Sequence, residues 1–169
     1  MKLAGSCELA EEGVQKEPGD GERARDDKVI ARALGILERR AGRPGRLMRD
    51  AATCGAFFRL RLGGEGREHF EVAFLDTRNR LIAVERLFSG TIDGAVVTPR
   101  IVIQRALALN AAGVIMAHNH PSGDPQPSKA DCVITTQLKS VLQMVDVRLL
   151  DHFIVTATES VSLAATGYL

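Results

Sequence analysis

The chain has 169 residues, 45% of them apolar, enough for one packed core and too many for a wholly disordered polypeptide. Its 22 basic and 21 acidic residues leave a net charge of +1, which excludes a polybasic surface drawn to DNA or anionic membrane by bulk charge. Aromatic residues make up 4%, with no Trp, so a base-stacking platform for single-stranded nucleic acid is poorly supplied.

Residues 1–27 carry eight acidic and four basic residues, are interrupted by glycines and Pro18, and hold few apolar side chains. This composition predicts a solvated, disordered acidic tail. Without it, 18 basic and 13 acidic residues remain, a mild positive bias in the folded part. From Lys28, the apolar residues Val29, Ile30, Ala33, Leu34 and Leu37 recur at three- and four-residue spacings and predict a helix. Gly42-Arg43-Pro44-Gly45 breaks it. A second helix is expected from Asp50 to Leu62, ended by Gly63-Gly64, so that 28–65 reads as a helical lead-in.

At Glu68 the period changes to two. Phe70, Val72 and Phe74 predict a strand ending near Leu75, Thr77-Arg78-Asn79-Arg80 a turn, and Leu81 to Phe88 the returning strand of a hairpin. Ser89-Gly90-Thr91 and Asp93-Gly94 mark loops. Pro99 suits the first turn of a helix running to about Asn110. Val114-Ile115-Met116-Ala117 has the continuous apolar form of a strand buried on both faces. A proline-rich loop follows, then a helix from about Ser128, a strand region over Val147 to Val155, and a short last strand holding Val161 and Leu163. Alternating helices and strands imply one α/β layered domain over 66–169.

Cys7, Cys54 and Cys132 form no CxxC pair, so a reducing cytoplasm is expected. Glu8, Glu11 and Glu12 precede any apolar signal-peptide core, and no apolar run is long enough to span a bilayer.

The chemistry concentrates in residues 118–131. In an extended segment, residues i and i+2 share a face, so His118 and His120 present two imidazoles together where a buried strand leaves the core. The loop with Pro121, Pro125 and Pro127 can return the first turn of the next helix, with Asp131, to the same place. Two imidazoles and one carboxylate are the three-ligand set of a catalytic zinc with an open fourth position. Ser128 and Asp131 also fit a capping box, which by itself would explain both residues as helix-end chemistry. The metal reading becomes the better one when all four residues are taken together.

The spacing His-x-His, seven residues, Ser, two residues, Asp resembles the JAMM motif of JAB/MPN domains. The words around it resemble the bacterial RadC branch: His118 through Gly123, Pro127-Ser128 through Asp131, Phe88-Ser89-Gly90-Thr91, Asn110-Ala111-Ala112, and Asp151-His152 with Ser162. The likeness is continuous over about 66–169; 28–65 is more weakly similar to the lead-in of short, mobile-element-type relatives. It implies a JAB/MPN-like, cytidine-deaminase-like α/β fold with a mixed sheet flanked by helices. It also implies a zinc held by His118, His120 and Asp131, and a catalytic glutamate at the start of the first core strand, matched best by Glu68. Zinc lowers the pKa of water from near 16 to about 7, and Glu68 would take the proton and pass it to the leaving amine. Ser128 would donate to the developing oxyanion. Glu65, Glu71 and Glu85 are the neighbouring carboxylates, read as solvated; Asp151-His152 is read as structural, His69 as a surface residue, and Asn119 and Ser122 as loop-shaping.

The implied activity is a zinc-dependent peptidase or isopeptidase acting on a peptide or isopeptide-linked protein. A second reading is a non-catalytic zinc-containing interaction module in DNA repair or mobile-element maintenance, with DNA as partner. A metal-dependent nuclease comes last, because His118-Asn119-His120 sit consecutively at one strand end instead of on a ββα hairpin. Two departures from the pattern are visible: Ile101 follows Pro99-Arg100 where relatives often carry an acidic residue, and no helix-hairpin-helix region precedes residue 28. The strand over 81–88 offers an edge for pairing across a homodimer.

Overall fold

The structure is a computed structural model and describes residues 20–41, 45, 47–48, 50–90 and 97–169. Helix α1 spans Asp20–Ala41 and α2 Ala51–Leu62; strands β1 (His69–Leu75) and β2 (Leu81–Ser89) follow. Then come α3 (Pro99–Ala108), β3 (Gly113–Asn119), α4 (Lys129–Gln143), β4 (Arg148–Val155) and β5 (Ser160–Ser162). The sheet is mixed, in the order β2-β1-β3-β4-β5: β3 and β4 run parallel and the other neighbours antiparallel.

Both faces of this sheet are covered, and the side-chain alternation divides the core accordingly. Phe70, Val72 and Phe74 of β1, with Val114 and Met116 of β3, pack under α3 and α4 through Val102, Ala106, Leu138 and Leu142. Ala73, Leu75, Ile115 and Ala117 face the other way, onto Cys54, Phe57, Phe58 and Leu62 of α2. Every residue of β1 from Phe70 to Leu75 is buried. Glu71 lies on the α2 side with 0% exposure, its carboxylate bonded to Arg61 Nε at 2.6 Å and Arg86 Nε at 3.3 Å. Its expected place as a solvated carboxylate is therefore wrong, because two arginines from α2 and β2 follow it into the interior and neutralise it.

Two boundaries differ from expectation. Helix α1 begins at Asp20 instead of Lys28, so 20–27 of the expected acidic tail are helical, while 1–19 lie outside the described residues. Its apolar spacing does not mark a buried stripe throughout: Val29 and Ile30 are exposed. The break expected between 65 and 66 is not a break in packing, since α2 contributes Phe57, Phe58 and Leu62 to the sheet's own core. The breaker residues 42–44 and the loop residues 91–96 lie outside the described residues.

Local chemistry accounts for the element ends. Asp50 caps α2, its side chain accepting from Thr53 N at 2.7 Å. Gly63 ends that helix in right-handed geometry (φ −64°); a Cβ there would meet the Arg59 carbonyl at 2.7 Å and the Thr156 carbonyl at 2.9 Å. Close approach of another strand end, not a left-handed turn, demands glycine. The β1–β2 turn is knotted by Asp76 Oδ1, which accepts from Arg78 N and Arg80 N at 2.8 Å each, with Asn79 left-handed (φ 57°).

Candidate metal centre

Antiparallel pairing of β1 with β3 sets Phe70 opposite His118, so the start of β1 lies beside the end of β3. His118 shares the face of Val114 and Met116 and points toward α4, whose first turn carries Asp131. His120 follows the strand end, its N–H donating to the Val155 carbonyl at 2.8 Å. The loop then turns at Gly123 (φ 82°) and returns the chain to Ser128, the N-cap of α4.

The three expected ligands converge. His118 Nε2 lies 3.0 Å from His120 Nε2 and 3.1 Å from Asp131 Oδ1, and His120 Nε2 lies 3.5 Å from Asp131 Oδ2. Tetrahedral donors about 2.1 Å from a zinc ion sit about 3.4 Å from one another, so the spacing fits that ion. The remaining ring nitrogens are engaged elsewhere. His120 Nδ1 donates to the Asp124 carbonyl at 2.7 Å, and His118 Nδ1 faces His152 Nε2 at 2.9 Å. The two Nε2 atoms and the Asp131 carboxylate thus face a common point and could hold a metal ion. Among the described residues this is the one such cluster of His, Cys, Asp or Glu.

In the metal-free protein, burial opposes ionisation of Asp131, yet hydrogen bonds with His118 and His120, attraction to His118, and the Ser128 hydroxyl hold its carboxyl far below the usual range. The hydrogen bond to Asp131 raises the His120 imidazole above its ordinary value, against the opposing effect of burial. His152 is pushed well below its ordinary value, first by complete burial and then by repulsion from His118.

Glu68 lies immediately before β1, on the same side as Phe70, and lines a pocket of about 230 Å³ with His118, Asp131, Phe70, Val97, Ala130 and Ile134. The structure therefore brings Glu68 to the three-ligand cluster. Glu65 and Glu85 are elsewhere engaged: Glu65 with Arg86 at 2.7 Å and Glu85 with Arg105 Nε at 2.7 Å. Ser128 forms the capping box. Its N–H and hydroxyl donate to Asp131 Oδ2 at 2.8 and 2.6 Å, and its oxygen accepts from Asp131 N at 3.1 Å. Its hydroxyl proton thus serves the ligand carboxylate in this structure.

Several residues have roles the sequence did not disclose. Asn119, expected to shape the proline-rich loop, is 2% exposed and points to the opposite face. Its Oδ1 accepts from His69 N at 2.8 Å, and its Nδ2 donates to the Arg67 and Glu65 carbonyls at 2.9 and 3.2 Å. It therefore holds the peptide on both sides of Glu68. His69 bonds Ser89 Oγ at 2.8 Å through Nδ1, and its side chain is only 12% exposed, so it is not a surface residue. Asp151 organises the last turn, accepting from Ser162 Oγ at 2.6 Å and Ala164 N at 3.1 Å. His152 lies behind His118, with Thr135 Oγ1 at 2.6 Å from its Nδ1. The Asp151-His152 pair was the available signal for His152; Thr135 had none.

Comparison with known proteins agrees with this fold. The chain is 52% identical over 125 residues to a UPF0758 protein of Xanthomonas oryzae, covering 74% of this chain and 56% of that protein. It is 57% identical over 120 residues to one from Stenotrophomonas maltophilia, covering 71% and 51%. A UPF0758 protein of Vibrio cholerae is 48% identical over 148 residues, covering 88% of this chain and 92% of that one. The chain thus spans about half the length of the Xanthomonas and Stenotrophomonas relatives. The sequence profile of the RadC-like JAB domain matches residues 48–168, which takes in α2, the whole sheet and the three converging ligands. On that match, and on identities near one half over most of its length, the chain belongs to the RadC-like JAB domain family.

Proposed function

We propose that the chain is a zinc-dependent hydrolase of peptide or isopeptide amides. The observation that carries this reading is the convergence of His118 Nε2, His120 Nε2 and an Asp131 oxygen, with Glu68 lining the same pocket. A zinc ion held there supplies Lewis acidity and makes water acidic enough to attack a carbonyl at neutral pH.

The chain's own residues do the rest. Glu68 accepts the proton of the attacking water and delivers it to the departing amine, a general acid–base role worth about 10²–10⁴ in rate. Asn119 fixes the backbone carrying Glu68, so that its carboxylate stays over the pocket. Phe70, Val97 and Ile134 form an apolar wall that keeps bulk water from the reacting carbonyl. Ser128 orients Asp131; to donate to the oxyanion, its hydroxyl must rotate off Asp131 Oδ2.

The test is hydrolysis of a fluorogenic peptide library and of peptides joined through a lysine side chain, by the wild type and by Glu68→Gln. The expected result is turnover by the wild type and a loss of about 10²–10⁴ in Glu68→Gln with zinc retained. Equal turnover by both proteins removes Glu68 from the mechanism. No hydrolysis by a zinc-loaded wild type, together with melting lowered by chelation, assigns the metal to structure.

A further inference from the structure

A ligand histidine is useful to a metal only if the facing nitrogen carries a lone pair, and the proton on its other nitrogen must then have an acceptor. For His118 that acceptor is not a carboxylate or carbonyl but a second histidine, and the direction of the hydrogen bonds can be traced from its far end. Thr135 Oγ1 lies within hydrogen-bond distance of the Asp131 backbone carbonyl, one turn earlier in α4. A carbonyl only accepts, so the single hydroxyl proton of Thr135 goes there, the usual intrahelical bond of a helical threonine. The same bond recurs from Thr136 to the Cys132 carbonyl and from Ser140 to the Thr136 carbonyl. Thr135 differs in facing a ring as well: its oxygen is 2.6 Å from His152 Nδ1 and can only accept from it. His152 therefore carries its proton on Nδ1. An imidazole with its one proton on Nδ1 offers only a lone pair at Nε2, so that nitrogen accepts. At 2.9 Å stands His118 Nδ1, which consequently donates and leaves the His118 Nε2 lone pair facing His120 and Asp131.

We propose that Thr135 and His152 are positioning residues, forming a one-directional hydrogen-bond relay that fixes the tautomer of His118 for metal binding and ties it to the helix turn bearing Asp131. The inference rests on the metal-site reading above and deepens it. The relay links three elements, β3, β4 and α4, so two ligands thirteen positions apart in sequence are set by one chain of bonds. Phe70 closes it from the side, its ring centroid 6.2 Å from that of His118 and 5.5 Å from that of His152. Without the Thr135 hydroxyl, the buried Nδ1–H of His152 would have no acceptor. The ring would then hold its proton on Nε2, forcing the His118 proton onto the nitrogen that faces the metal.

The experiment measures zinc affinity by competition with a chromophoric chelator for the full chain, Thr135→Val and Thr135→Ser. Imidazole 15N shifts of the zinc-loaded wild type are recorded alongside. The relay predicts zinc binding about 10–100-fold weaker in Thr135→Val, a loss typical of a ligand whose supporting hydrogen bond is removed. It predicts near wild-type binding in Thr135→Ser, and protons on Nδ1 of both His118 and His152. A role confined to stability would change neither the affinity of the folded protein nor the tautomers. Unchanged affinity in Thr135→Val, or a proton on His152 Nε2 in the wild type, overturns the relay alone. Should Thr135→Val fail to fold, the wild-type spectrum still decides. Absence of zinc binding by the wild type overturns the metal-site reading itself.

Discussion

At the scale of single residues, the site depends on groups that never touch a substrate. Asn119 makes three hydrogen bonds to the 65–69 segment while 2% exposed. Asn119→Leu leaves buried backbone groups without partners and should destabilise the fold by about 1–3 kcal/mol, read by urea denaturation. Glu68 loses its fixed backbone in that variant, so turnover should fall while zinc content stays at the wild-type level. His152 makes a second prediction, in the metal-free protein. Its folded pKa is depressed from an ordinary value near 6.5, so the unfolded chain binds more protons than the folded one below that pH. The stability it contributes is full above about pH 6.5 and is lost as pH falls toward the folded value. His120 is shifted upward, so its contribution is complete below pH 6.5 and is lost as pH rises from there through its own folded value. Between about pH 6.5 and 5, denaturation in the presence of chelator should therefore show stability falling with acidification, by up to about 1 kcal/mol per pH unit. A flat profile there would mean that His152 titrates as it does in water.

At the scale of elements, α2 is the piece whose importance the residue pattern understated. It covers one face of the sheet with Phe57, Phe58 and Leu62 and brings Arg61 to the buried Glu71. Replacing Arg61 by Met removes the closest partner of a carboxylate with 0% exposure and should cost about 3–5 kcal/mol by chemical denaturation. Adding Glu71→Leu should recover most of that loss, because the stranded charge goes with it. The same helix approaches β5 closely at Gly55, where a side chain would collide with Ser160. Helix α4 has the complementary task. Its capping box uses Ser128 and Asp131 to start the helix, and the same Asp131 carboxylate faces both histidines, so helix formation and ligand placement are one event.

At the scale of the whole molecule, the site lies where the end of β3, the start of β1 and the N-terminus of α4 meet, above a core closed on both faces. The outer edge of β2 is partly covered at its beginning: Leu47 bridges to Arg80, and Met48 N donates to the Asn79 carbonyl at 3.0 Å. Much of this arrangement was legible in the sequence. Period-two and period-3.6 patterns located β1, β2, α2 and α4, the unbroken run 114–117 marked β3, and His118, His120 and Asp131 stood out by spacing alone. What was not legible depends on contacts between distant segments. Glu71 reads as a surface carboxylate until Arg61 and Arg86 are brought to it. Thr135 reads as an ordinary helix residue until β4 sets His152 beside it. Asp20–Asp27 read as a solvated tail because charge patterning does not separate an exposed helix from a disordered segment. The central claim, that this family member holds a metal at His118, His120 and Asp131, is tested most directly by zinc stoichiometry. The measurement is elemental analysis of purified wild type, His118→Ala and Asp131→Ala. The account predicts about one zinc per chain in the wild type and almost none in either variant; negligible zinc in the wild type, or unchanged zinc in both variants, would contradict it.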